Sequence, residues 1–110
     1  MGKSKIETYL GFSIRARKII FGVDNIESER KGVFLIVVDE KLSLNSLKNV
    51  EKAKDKFSCA VLIAKENVLG EMVCRPAVKA VAIKDKNLAE AILVALESEP
   101  QFKLYSGGNN

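Results

Sequence analysis

Few side chains in this sequence have chemistry to offer. They are two cysteines, Cys59 and Cys74, one adjacent carboxylate pair, Asp39-Glu40, and a group of cations, Arg15, Arg17 and Lys18. There is no histidine, so the commonest general base near neutral pH is missing. The cysteines lack metal-site spacing and have no histidine to join them, which reads as reduced thiols in a cytoplasmic protein. Cys74 precedes Arg75, and a neighbouring cation favours a thiolate. As a lone pairing this is a weak signal, and an ordinary cysteine is the favoured reading. Asp39-Glu40 closes an apolar run, where α/β sheets often place functional groups. The pair could hold magnesium or simply open a loop and helix. No G-x-x-x-x-G-K-[ST] or G-x-G-x-x-G sequence accompanies it, so the structural reading is favoured. Nothing in this inventory argues for an enzyme, a cofactor or a bound metal.

The cations point elsewhere. The formal net charge is +4, from 18 basic and 14 acidic residues. Residues 1–31 hold Lys3, Lys5, Arg15, Arg17, Lys18, Arg30 and Lys31 against Glu7, Asp24, Glu27 and Glu29, so most of the excess lies there. A basic end suits an anionic partner, although ordinary solubility would produce the same balance. No apolar run approaches the roughly 18 residues that span a bilayer. The basic start has no apolar stretch behind it, so it does not read as a signal peptide. Gly2 would suit myristoylation, but Ile6 stands where that motif wants Ser or Thr.

The elements that must position these residues follow from periodicity. Ser4 can cap a first helix, with Glu7 completing a capping box and Ile6, Tyr9, Leu10 and Ile14 at helical spacing to about Ala16. Residues 18–22 read as a short strand ended by glycine. Asp24 or Asn25 can cap a second helix to about Lys31, with Gly32 as its stop. Residues 33–38 form a continuous apolar run, as in a strand buried on both faces. A third helix covers Ser43 to about Phe57, with Leu44, Leu47, Val50 and Ala53 inward. Ala60–Ala64 is another buried strand, residues 67–72 a short helix, and Val78–Ile83 a further strand. Asn87 starts a last helix, with Leu88, Ala91, Ile92 and Ala95 inward, ending near Glu97. Strands alternating with helices imply a largely parallel sheet covered on both faces. One domain over residues 1–99 is expected, followed by a flexible tail over residues 100–110 that contains Phe102 and Tyr105.

Four segments in order carry a resemblance. They are Tyr9-Leu10-Gly11-Phe12-Ser13-Ile14-Arg15-Ala16-Arg17-Lys18-Ile19, then Gly22-Val23-Asp24-Asn25-Ile26, then the buried strand ending in Asp39-Glu40. The last is Val68-Leu69-Gly70-Glu71-Met72-Val73-Cys74-Arg75-Pro76, leading into residues 78–85. Together they resemble the bacterial YlxQ-like proteins over about residues 4–97. Those proteins belong to the ribosomal-protein superfamily whose archaeal and eukaryotic members, the "seven-Ae" and "thirty-e" proteins, bind kink-turn RNA.

The resemblance implies an α/β fold, a three-layer α/β/α sandwich with a mixed, about four-stranded sheet and an RNA site at one end. In kink-turn binders a Gly-x-Asn-Glu-x-x-Lys segment meets the RNA at the start of the second helix. Its counterpart here puts Gly22 first, Asp24 at the asparagine, Asn25 at the glutamate and Ser28 at the lysine. Asp24 has no amide donor, Asn25 accepts without charge assistance, and Ser28 has no cation. An ordinary helix cap accounts for Asp24-Asn25 equally well. The second RNA-facing element would be the loop after Leu69-Gly70. There Met72 and Val73 pack on an extruded base while Arg75 contacts phosphate or stacks, unless Met72 and Val73 are core residues. The third element is the cation group. YlxQ-like proteins commonly have Ala-Gly-Lys where this chain has Ala16-Arg17-Lys18. Arg17 and Lys18, with Arg15 beside them, are expected as phosphate contacts compensating for Ser28, or as a solvated basic helix end. The implied protein is a cytoplasmic, monomeric RNA binder, with ribosomal or other structured non-coding RNA as target and ribosome components as further partners. The alternative is a protein-interaction adaptor that keeps the fold without kink-turn recognition.

Overall fold

The computed structural model describes residues 4–105. Helix α1 (Lys5–Arg15) is followed by β1 (Ile19–Phe21), α2 (Val23–Ser28), β2 (Leu35–Asp39), α3 (Leu44–Phe57) and β3 (Ala60–Ala64). The chain continues through α4 (Val68–Met72), β4 (Ala80–Ile83), α5 (Lys86–Ala95), a 3-10 turn (Leu96–Ser98) and β5 (Phe102–Leu104). The strands form one sheet in the order β1-β4-β2-β3-β5. Helices cover both of its faces, so the α/β sandwich expected from the sequence is what the chain adopts.

The sheet is mixed rather than largely parallel. Only β2 and β3 run side by side in the same direction, whereas β4 is antiparallel to both β1 and β2, and β5 is antiparallel to β3. The connection from β3 to β4, residues 65–79 with the five-residue α4 as its helix, re-enters the sheet at the end where β3 stopped, so β4 runs back. That end, where β1, β2 and β3 finish, is called here the corner end. The other is the far end.

Two apolar clusters sit on the two faces. Leu35, Val37, Leu62, Val81 and Ile83 pack with Ile6 and Leu10 of α1 and Ile92 of α5. Ile36, Val38, Val61, Ala80 and Ala82 pack with Ile26 of α2 and with Val50 and Ala53 of α3. Alternate residues of β2 feed opposite clusters, which is why this strand reads as unbroken apolar sequence.

Several local expectations need correction. The segment after Pro100 is not a free tail through Tyr105. Phe102 is buried, β5 pairs with β3, and the Tyr105 N–H donates to the Val61 carbonyl. A three-residue edge strand with one inward side chain leaves almost no periodic signal to read. Residues 106–110, the rest of the expected tail, and Gly2 and Lys3, lie outside the described residues. Among the described residues the sheet therefore has five strands, not about four. Leu44 is 77% exposed, because it opens α3 beyond the sheet it would have to cover, and Ala91 is only half-buried. Helix α2 ends at Ser28, short of Lys31. Its first residue follows Gly22 (φ 93°), and neither Asp24 nor Asn25 caps it. Ser4 does cap α1, its Oγ accepting from the Glu7 N–H at 3.1 Å. The other free donors there are met by Glu99, whose carboxylate accepts from the Lys5 N–H (2.7 Å) and the Ile6 N–H (3.1 Å) and from the Ser4 hydroxyl. That carboxylate is buried, and it fastens the chain end to α1.

Candidate functional site

At the corner end β1 must turn into α2 with no intervening loop. Gly22 makes the turn at a φ that strains any residue with a Cβ. Its N–H donates to the Ala80 carbonyl at 2.9 Å, which ties the turn to β4. The Asn25 amide donates back to the Phe21 carbonyl at 2.9 Å. This bond uses its NH2 and leaves its oxygen outward as an acceptor. Asp24 and Asn25 are exposed on the first turn of α2. Ser28 is exposed one turn further on, and its hydroxyl donates to the Asn25 carbonyl.

The loop after α4 lies against this turn. Helix α4 stops with Cys74 in the left-handed region (φ 59°), the Cys74 N–H donating to Glu71 and the Arg75 N–H to Gly70. This paired-bond ending ordinarily uses glycine. It throws Arg75 out of the helix, and the guanidinium comes to rest over the Phe21 ring, 4.3 Å from its centroid. Arg75 Nη1 also donates to the Val73 carbonyl at 2.9 Å. Gly70 permits the approach. A Cβ there would meet the Pro76 and Arg75 carbonyl oxygens and the Pro76 Cα at 3.0–3.1 Å.

Beside the Gly22 turn lies an open groove of about 520 Å³, lined by that turn, by residues 77–80 and by Leu42 and Ser46, with Phe21, on which Arg75 rests, at its edge. Lys79 is half-exposed and stands 3.8 Å from Asp39. Asp39 is buried, with one oxygen accepting from the Lys41 N–H and the other from the Asn67 N–H, while Glu40 accepts from the Glu66 N–H. The carboxylate pair is therefore engaged in holding two loops. Among the described residues no group of three or more potential metal ligands is gathered.

Of the residues expected to meet a ligand, the fold brings together Gly22, Asp24, Asn25 and Arg75, with Ser28 one helical turn away. Val73 is buried in the cluster under α1 and α5, and Met72 packs against the same cluster. The expectation that Val73 packs on a base is thus corrected, since its side chain fills the core. Arg15, Arg17 and Lys18 also stand apart from the groove. They precede Ile19, which pairs with Ile83 at the far end, whereas Gly22 pairs at Ala80. Three strand residues separate the two, about 10 Å. Lys79 and Phe21 are groove residues that the sequence reading missed. Lys79 could have been found as the lone cation entering β4, but the placement of Phe21 under Arg75 leaves no sequence signal.

No family model matches the chain, and no curated protein matches it. Among solved structures it is similar to a protein from Bacillus halodurans described as of unknown function. The two share 16% identity with a TM-score of 0.71, over 86% of this chain and 99% of that one. At this identity the likeness concerns the fold alone.

Proposed function

We propose that this protein binds structured RNA in the cytoplasm, with the groove beside Gly22 as its reading site. The observation that carries the proposal is the joining of two segments far apart in sequence, the Gly22–Asn25 turn and the Cys74–Pro76 loop, by the Arg75–Phe21 stack. Together they offer groups that RNA recognition uses. The Asn25 oxygen and the Asp24 carboxylate accept from base-edge N–H groups. Phe21 and Arg75 form a flat cationic platform for an unstacked base. Lys79 supplies a phosphate contact at the rim and takes over the charge that Ser28 lacks. The resemblance to YlxQ-like proteins favours ribosomal or other non-coding RNA with a sharp bend. Catalysis has no part in this reading, since the groove residues include no general base near neutral pH.

A gel-shift series against kink-turn and ribosomal RNA fragments tests it. Binding is expected, and replacing Arg75 with alanine should weaken it about 5- to 150-fold, the range for losing one stacked base. Silence across the panel at low salt would leave the adaptor reading, which the exposed carboxylate of Asp24 on the groove lip favours.

A further inference from the structure

The cations that the fold removes from the groove gather at the far end of the sheet, with others from distant parts of the sequence. The Lys84 N–H donates to the Lys18 carbonyl at 2.8 Å, placing the end of β4 beside the start of β1. A Cβ at Gly32 would lie 3.5 Å from the Lys84 side chain, which brings Arg30 and Lys31 to the same place. Arg15 and Arg17 come from the end of α1. Arg15, Arg17, Lys18, Arg30 and Lys31 are all exposed.

The carboxylates nearby offset only part of this charge. Glu29 pairs with Lys84 at 2.8 Å, Asp85 caps α5 by accepting from the Leu88 N–H, and Glu27 is exposed on α2, so these three stand against the six cations Arg15, Arg17, Lys18, Arg30, Lys31 and Lys84. Two aromatic rings are set among the cations. Phe12 is 42% exposed with the Arg15 guanidinium 5.0 Å from its centroid, and Phe34, just before β2, is 41% exposed. Arg17 also holds a left-handed φ of 59° at the end of α1, where its N–H donates to Ile14 and that of Lys18 to Ser13. Glycine relieves this position, and a strained cation kept there points to use of its charge.

We infer that this far end is a second nucleic-acid contact, a backbone-binding pole that takes a single RNA strand by its phosphates, with Phe12 and Phe34 as stacking surfaces. The inference deepens the RNA reading and rests on it for the class of partner, but it concerns a different surface. Exposed cations interleaved with half-exposed rings match what sequence-tolerant strand binding requires. An anionic membrane would use the same charge but would also call for a broader apolar face to enter the interface. The RNA strand is therefore favoured. The two poles lie at opposite ends of the strands, so one RNA molecule would have to pass around the sheet edge at β1 to occupy both.

The test uses the full chain and two probes, a 12-nucleotide oligo(U) for the far end and a kink-turn RNA for the groove. Lys18→Glu combined with Lys31→Glu should lower oligo(U) affinity at least about tenfold. The neutral pair Lys18→Gln and Lys31→Gln should flatten the salt dependence by about 1.4 in log–log slope, two single-strand phosphate contacts. Circular dichroism on each variant identifies misfolding, and the glutamine pair carries the result if the glutamate pair unfolds. Oligo(U) binding that is absent, or insensitive to both double variants, overturns the far-end assignment. Charge-dependent binding to phosphatidylserine vesicles with no oligo(U) binding overturns it in favour of a membrane. The groove reading fails separately, if kink-turn RNA binding ignores Arg75→Ala.

Discussion

Single residues in this fold are set by burial and backbone angle more than by sequence neighbours. In sequence only the Arg75 neighbour of Cys74 sets it apart from Cys59, and the structure separates the two by burial. Cys74 is exposed, whereas Cys59 is partly covered. Burial pushes the Cys59 thiol up to about 11, with the Lys54 charge and a backbone hydrogen bond opposing weakly. Tyr105 is raised as well, chiefly because its hydroxyl donates to the Glu51 carboxylate. In both cases the folded state holds a proton that the unfolded chain releases, so unfolding is favoured as pH rises. Stability should be flat below the ordinary thiol value of 9.0 and fall between there and about 11. Urea midpoints across that window measure the slope, which Cys59→Ala should reduce, with Tyr105→Phe removing more. At pH 7.5 a maleimide should label Cys74 in the native protein and reach Cys59 only on unfolding, as read by mass spectrometry. The same scale holds Arg17. Relief of its left-handed backbone is worth about 1–2 kcal/mol, and the added freedom of glycine in the unfolded chain returns about 0.4–1 kcal/mol. Arg17→Gly should therefore raise stability by about 0.5–1 kcal/mol in a denaturant titration while weakening oligo(U) binding.

At the scale of elements, the ending of the short helix α4 shapes the corner end, because it aims Arg75 at Phe21. Gly70 lets the chain after that ending pack back on the helix. Helix propensity alone would favour Gly70→Ala by about 1 kcal/mol. The added Cβ, however, would press on backbone atoms of Arg75 and Pro76. Backbone cannot swing aside as a flexible side chain can, so overpacking of about 1–3 kcal/mol decides the sign. Thermal melts should show a net loss, and RNA binding should weaken because the Arg75 loop moves. An unchanged melting temperature together with unchanged binding would show that the loop is less tightly seated than this geometry requires.

For the whole molecule, β5 completes the sheet and covers one edge of β3. Phe102 is 4% exposed inside the cluster shared by α1 and α5, a burial worth about 1.5–3 kcal/mol. Ending the chain after Glu99 should lower Tm by at least about 6 °C, given roughly 4–8 °C per kcal/mol for a domain of this size. The bared edge of β3 should promote association, visible as a shift in sedimentation. A truncated chain that melts unchanged would return residues 100–105 to the status of a loose tail.

The alternation of apolar runs with amphipathic segments determined by itself that this chain makes an α/β sandwich. It also placed β3 at its observed limits and set the cap at Ser4, because these features depend on side-chain period and local hydrogen bonding. Strand direction, the fifth strand and the fate of the cations were decided only in three dimensions. Arg17 and Gly22 are near neighbours in sequence, yet an intervening extended strand carries them to opposite ends of the sheet. Arg75 and Phe21 are far apart in sequence, and a helix ending brings them into a stack. Local preferences report which way a segment is wound, while the closing of distant segments upon one another depends on the lengths of everything between them.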